Sequence, residues 1–223
     1  MSRLEDIGEQ GFLDRLPKWL KTRNPRVKVG IGDDALVIAD GTVVTSDSYV
    51  EGVHFSRLYF SASDIGFKAA AATLSDLAGM GAEPVCLLVN LFAPSGLEVD
   101  FAKKLYQGME EVAGPLGAEI AGGDTVSLDR LILSLTAIGR SENPLLRCGA
   151  RPGDLLYCSG FPGLSSVGQQ ALRKEAEGFR ESKARHLRPQ PRIALGLALR
   201  GVATACIDTS DGLSTDAGHL AYS

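Results

Sequence analysis

The chain has 223 residues, enough to bury a core in one large domain or two small ones. Apolar residues make up 44% and charged residues 22%, the balance of an ordinary soluble globular protein. A net charge of −4 argues against a nucleic-acid partner held by a basic patch, and no apolar run approaches the roughly 18 residues of a membrane span. Residues 1–6 contain no apolar signal region, so a cytoplasmic protein without a membrane partner is expected. The cysteines at 86, 148, 158 and 206 have no zinc or redox spacing and read as buried free thiols of a reducing compartment. The 26 glycines exceed the usual share and suit backbone positions that need positive φ or close approach to a ligand.

In chain order, residues 4–20 read as an amphipathic helix marked by Leu4, Ile7, Phe12, Leu16 and Leu20, which Pro17 kinks or ends. A Gly-rich acidic loop, Val29 to Ala35, precedes a strand over 35–39. Asp40-Gly41 is a hairpin signal, and residues 42–45 return as the partner strand. That strand ends in Ser46-Asp47-Ser48, and an extended segment follows over 49–55. The next helix spans about 63–81, with Ser63 as N-cap and Asp64 in its first turn. Ile65, Ala69, Ala72 and Asp76 share one face of it. A carboxylate on an apolar face is costly unless paired, hydrogen-bonded or bound to metal.

Pro84 stops that helix, and residues 85–92 form a buried strand. A helix over 95–113 carries Phe101, Leu105, Met109 and Val112 on one face and ends at Pro115 and Gly117. A short strand over 118–121 runs into Gly122-Gly123-Asp124-Thr125, and a long strand follows over 130–139. Composition changes over 140–153, which reads as a domain junction. Beyond it come a strand over 154–159, a turn at 160–163, a helix to about 178, a helix over 192–200 and a strand over 202–207. Asp208 to Leu213 then opens a final helix. The fold class is α+β (mixed α/β). Residues 1–140 form a mostly antiparallel sheet with helices on one face, and residues 141–223 form an incomplete second α+β domain.

Five acidic clusters stand out: Gly32-Asp33-Asp34, Ser46-Asp47-Ser48, Ser75-Asp76, Gly123-Asp124-Thr125 and Asp208-Thr209-Ser210-Asp211-Gly212. Any one alone is ordinary turn or cap chemistry. If they converge, carboxylates about 4 Å apart repel by roughly 4 kcal/mol at an effective dielectric near 20, so cations must lie between them. Hard oxygen donors select Mg²⁺ or Ca²⁺, and nearby glycines and hydroxyls offer phosphate contacts. There is no Walker A motif and no kinase-type glycine loop with a strand lysine. The residues thus point to a metal-dependent phosphate site built on neither common ATP cradle. Read alone, His54 is a half-buried structural histidine, Tyr106 a core residue and Arg147 a solvated junction residue. The Gly160-to-Gly163 turn is either a strand–helix turn or a phosphate site at a helix N-terminus.

Gly30-Ile31-Gly32-Asp33-Asp34-Ala35, Thr45 to Phe55, Ser75 to Ala82, Gly122 to Thr125 and Asp208 to Leu213 together resemble the thiamine-monophosphate kinase family, in that family's order and over essentially the whole chain. The wider superfamily includes aminoimidazole-ribonucleotide synthetase, selenophosphate synthetase and a hydrogenase-maturation protein. The resemblance implies ATP- and Mg²⁺-dependent phosphorylation of thiamine monophosphate to thiamine diphosphate by direct in-line transfer, with no dedicated base. It implies a homodimer whose first domains pair through their strands. It assigns Mg²⁺ to Asp33, Thr45, Ser46, Asp47, Asp76, Asp124, Asp208 and Asp211, with Asp76, Asp47 and Asp211 carrying catalysis. Gly123, Asp124, Arg147, Ser210 and Tyr106 would contact ATP, and His54 the thiamine phosphate. Asp76 should then lie within metal-bridging reach of Asp33 and Asp47. Ser46 and Thr209 depart mildly from the family pattern, and family members continue well beyond the point where this chain stops. The alternatives are another ATP-dependent synthetase of the superfamily, or a truncated nucleotide- and Mg²⁺-binding dimer without turnover.

Overall fold

The computed structural model describes residues 3–20 and 23–222. Two short helices, α1 (Leu4–Leu13) and α2 (Leu16–Trp19), replace the single N-terminal helix expected from apolar spacing. Gly8, at φ 62 and ψ −177, interrupts the first. Pro17 lies in the first turn of α2, where its missing N–H costs nothing, so it starts a helix instead of ending one.

The sheet has six strands: β1 (Val27–Val29), which was not expected from the sequence, then β2 (Leu36–Ile38), β3 (Thr42–Val50), β4 (Glu83–Ala93), β5 (Glu119–Ser127) and β6 (Ile132–Arg140). Their order across the sheet is β1-β2-β3-β6-β4-β5, with only the β4–β5 pair parallel. This is the mixed, mostly antiparallel sheet expected from the sequence. Ser46-Asp47-Ser48 lies inside β3 and does not end it: the strand pairs without a break from Thr42↔Arg140 to Val50↔Ile132. Gly123 and Asp124 likewise lie within β5, paired with Val89 and Asn90.

Helices α3 (Ala62–Gly79) and α4 (Val99–Ala113) cover one face of the sheet. The N-cap of α3 is Ser61, two residues before the expected Ser63. The Ser61 hydroxyl and the Asp64 carboxylate satisfy each other's backbone N–H groups in a capping box. The two helices touch backbone to backbone. A Cβ at Gly66 would lie 1.9 Å from the Leu105 carbonyl oxygen, and one at Gly108 would lie 2.0 Å from that of Ser63. Ile65, Leu74, Leu77, Leu105, Met109, Leu87, Leu133 and Leu135 are fully buried between helices and sheet. Burying each is worth about 1.5–3 kcal/mol, so this layer dominates the stability of the first 140 residues.

Four helices follow: α5 (Leu164–Arg173), α6 (Arg180–Leu187), α7 (Ile193–Leu199) and α8 (Leu213–Tyr222). α7 packs on the end of α3, where a Cβ at Gly196 would lie 2.0 Å from the Ala78 carbonyl oxygen. The strands expected over 154–159 and 202–207 do not form. Leu155, Leu156 and Tyr157 are exposed, and no strand among the described residues lies beside them to complete a ladder. The helix expected to reach 178 stops at Arg173, before Glu175 and Gly178 take positive φ. All four cysteines are free, but none is buried: Cys148 and Cys158 are exposed, and Cys86 and Cys206 are half-buried. Among the described residues no helix is long and apolar enough to cross a membrane.

Candidate functional site

Alternation along β3 sets the first part of the site. Val43, Thr45, Asp47 and Tyr49 face the helices, whereas Ser46 and Ser48 face away. The Thr45 hydroxyl donates to Asp76 Oδ2 in the last turn of α3. Tyr49 donates to Asp47 Oδ2 at 3.0 Å and touches the Thr73 hydroxyl at 3.2 Å. Burial and the Asp47 carboxylate hold the Tyr49 phenol well above its ordinary range, so it stays a donor and fixes Asp47. The Ser46 hydroxyl instead meets the Leu135 carbonyl and the Thr136 hydroxyl, both at 3.2 Å, so its side chain does not stand with those of Thr45 and Asp47.

The Gly-rich loop contributes Asp34 more deeply than Asp33. The Asp34 side chain is 0% exposed. It receives Arg147 Nη2 at 2.6 Å and Nε at 2.7 Å on one oxygen, and the Asp208 N–H at 3.0 Å on the other. Asp33 accepts the backbone N–H of Arg147 at 3.2 Å. Arg147 is therefore tied to the acidic loop, not loose in a junction. Gly79 makes the approach possible: a Cβ there would lie 2.4 Å from Asp34 Oδ2 and 3.0 Å from the Asp208 nitrogen. The Asp208 loop leads into α8, where buried Asp216 accepts the Gly212 N–H at 3.1 Å.

Asp34, Asp47, Asp76 and Asp208 thus share one half-buried volume. Burial, then the Asp208 and Asp47 carboxylates, push Asp76 up to about 8; the Thr45 hydroxyl opposes this. Burial and Asp34 push Asp208 up to about 7. Asp34 is raised by burial against the pull of Arg147. Asp76 feels the Asp208, Asp47 and Asp34 carboxylates, in that order. The motifs name Asp34 only as part of the Gly32-Asp33-Asp34 cluster, and Asp216 belongs to none of them. The Asp-Asp pair does not reveal which side chain turns inward, and Asp216 is one residue of a helix start. Among the described residues no three of these carboxylates form a ready-made metal cage. A cavity of about 350 Å³ opens beside Asp33, Asp34, Thr45 and Ser46.

The remaining expected residues lie elsewhere. Tyr106, Gly123 and Asp124 line an open groove of about 870 Å³ between α4 and β5. The register Asp47↔Leu135, Leu135↔Val89 and Val89↔Gly123 puts this groove three strands from Asp47. At about 4.8 Å per strand that is roughly 14 Å. Gly123, at φ +145, would place a Cβ 1.8 Å from the Val89 carbonyl oxygen. His54 is exposed, not half-buried, and its Nδ1 accepts the Val50 N–H at 3.0 Å, which leaves Nε2 as the outward donor. Ser210 and Asp211 are exposed on the loop before α8 and are not brought into the buried cluster.

Residues 32–141 match the family described as AIR synthase related protein, N-terminal domain. The chain is 38% identical over 224 residues to a thiamine-monophosphate kinase of Mycobacterium tuberculosis, covering 98% of this chain and 67% of that protein. It is 40% identical over 227 residues to one of Rhodopirellula baltica, covering 95% and 66%. It therefore spans about two thirds of the length of these relatives. A solved structure, AaThiL complexed with AMPPCP and TMP, superposes with a TM-score of 0.92 at 33% identity, covering all of this chain and 72% of that one. With motifs, fold and sequence in agreement along nearly its whole length, the chain belongs to the thiamine-monophosphate kinase family of enzymes.

Proposed function

We propose that this chain transfers the γ-phosphoryl group of ATP to thiamine monophosphate, giving thiamine diphosphate. The observation that carries the reading is the crowding of Asp34, Asp47, Asp76 and Asp208, which holds Asp76 near 8 and Asp208 near 7. Such a site favours either protons or cations. The homologous structure with AMPPCP, a triphosphate that stands in for ATP, and TMP supplies the substrate classes.

The donor set fits Mg²⁺: the carboxylates are hard oxygen ligands, and their mutual repulsion is relieved by a divalent ion. Asp47, Asp76 and Asp208 would hold it together with Asp33, while Asp34 is taken up by Arg147 and the Asp208 N–H. Because no three of them are already arranged as a cage, the phosphates would complete the coordination. Bound Mg²⁺ would neutralise the two polyanions. The chain's own residues do the positioning. Arg147, held by Asp34, directs its charge toward the nucleotide. Tyr106, Gly123 and Asp124 offer a groove for the rest of it. His54 Nε2–H is a donor for the thiamine phosphate. The attacking phosphate oxygen is already ionised, so in-line transfer needs alignment and charge neutralisation but no protein base.

A homodimer formed through the helix-free face of the sheet, a cytoplasmic location and a division into units 1–140 and 141–223 belong to the same reading. The test is a coupled assay with ATP, Mg²⁺ and thiamine monophosphate. Thiamine diphosphate and ADP in equal amounts are expected. ATP-analogue binding without product would overturn turnover and leave a nucleotide-binding dimer.

A further inference from the structure

Arg147, Arg188 and Arg200 are each tied to carboxylates: Asp34, the Asp64–Glu111 pair and Glu83. Arg185 in α6 and Arg192 at the N-cap of α7 differ. Among the described residues neither has an ion pair or a side-chain hydrogen bond. Neither do they splay apart. Both end beside the space a side chain at Gly160 would fill: a Cβ there would lie 2.7 Å from Arg192 Nη2 and 3.1 Å from Arg185 Nη2. Like charges held against one point repel, and among the described residues no carboxylate is paired with either. Gly160, at φ +88, keeps the space before the two forks open.

Lys68 and Arg173 act on His186, the neighbour of Arg185 in α6. His186, adjacent to Arg185, is buried and holds Ser165 in the first turn of α5 at 3.1 Å. Burial, then Lys68 and Arg173, depress its imidazole to about 4. The amides of Ser165 and Ser166 donate to no acceptor outside α5 among the described residues. None of these groups belongs to the acidic cluster, and none is claimed by the kinase reading.

We propose that Arg185 and Arg192, converging over Gly160, form a second anion site that binds a phosphoryl group. Two planar guanidinium forks can share the several anionic oxygens of a tetrahedral phosphate monoester, whereas a carboxylate offers only two oxygens. Inorganic phosphate, the monophosphate of a small ester and the terminal phosphate of a nucleotide share this chemistry.

The test is calorimetric titration of the full chain with inorganic phosphate, thiamine monophosphate and ATP, each with a chelator present so that no divalent ion serves the acidic cluster. At least one of the three binds the wild type, and the tightest names the source. The double variant Arg185→Gln/Arg192→Gln weakens that binding at least tenfold. Gly160→Ala does the same with both guanidiniums retained. Circular dichroism checks folding. If the glutamine variant does not fold, Arg185→Lys/Arg192→Lys decides: it keeps the charge, loses the forks and should still weaken binding tenfold. A wild type that binds none of the three overturns the proposal. So does a folded variant that binds as tightly as wild type.

Discussion

At the scale of single residues, Asp76 is a carboxylate made expensive by its surroundings. Asp76→Asn keeps the shape and still accepts from Thr45, but it removes one of four crowded charges. Turnover should fall at least ~100-fold, the size of losing one well-placed electrostatic contact, while the melting temperature without metal stays level or rises. Kinetics and a thermal melt on one preparation check both halves. Arg147→Ala acts the other way. It leaves the fully buried Asp34 carboxylate without its counter-ion and should cost about 3 kcal/mol in urea unfolding. The cluster also sets a pH dependence. Asp76 and Asp208 titrate at about 8 and about 7 when folded, against 3.8 for an ordinary aspartate. The folded chain holds extra protons between those values, so their contribution is full below 3.8 and is lost as pH rises to about 8. Without metal the chain should melt at a higher temperature at pH 5 than at pH 8, and Mg²⁺ should raise the melting point more at pH 8. A flat metal-free profile would contradict the crowding.

At the scale of elements, α3 joins core and site. Its buried residues fix it between α4 and the sheet, and its last turn presents Asp76 to β3. The contact with α4 is made through glycines because any side chain would collide with a carbonyl. Gly66→Ala should therefore destabilise by about 3 kcal/mol, at the upper end of overpacking costs, and should lower turnover by moving Asp76. Denaturant unfolding and kinetics check the pair. The helix itself was legible from its period, and so was the existence of strand β4, although β4 buries only one of its faces. The cap fell on Ser61 instead of Ser63 because the Ser61–Asp64 spacing completes a reciprocal box. The strands expected over 154–159 and 202–207 show the limit of periodicity. An apolar run states that a segment wants a neighbour, but it does not supply one.

For the whole molecule, the sheet has one face under α3 and α4 and another that no helix among the described residues covers. Leu88 and Val126 are 36% and 40% exposed, and Leu88 alternates with the buried Leu87 and Val89. If copies of the chain pair over this face, Leu88→Lys should shift sedimentation toward the monomer and leave the helical signal unchanged. The sequence by itself determined the mixed α+β class, most elements of the first 140 residues and the types of residue that carry the chemistry, because period, turn residues and acidic motifs are local properties. Only the tertiary structure decided which of Asp33 and Asp34 turns inward, that the Ser46 side chain lies across the sheet from those of Thr45 and Asp47, and that Arg147 belongs to the acidic loop. Each depends on side-chain direction, and direction is set by strand register and by backbone contacts between segments far apart in the chain. The Asp34–Arg147 and Asp34–Asp208 bonds span 113 and 174 residues, beyond the reach of any local pattern.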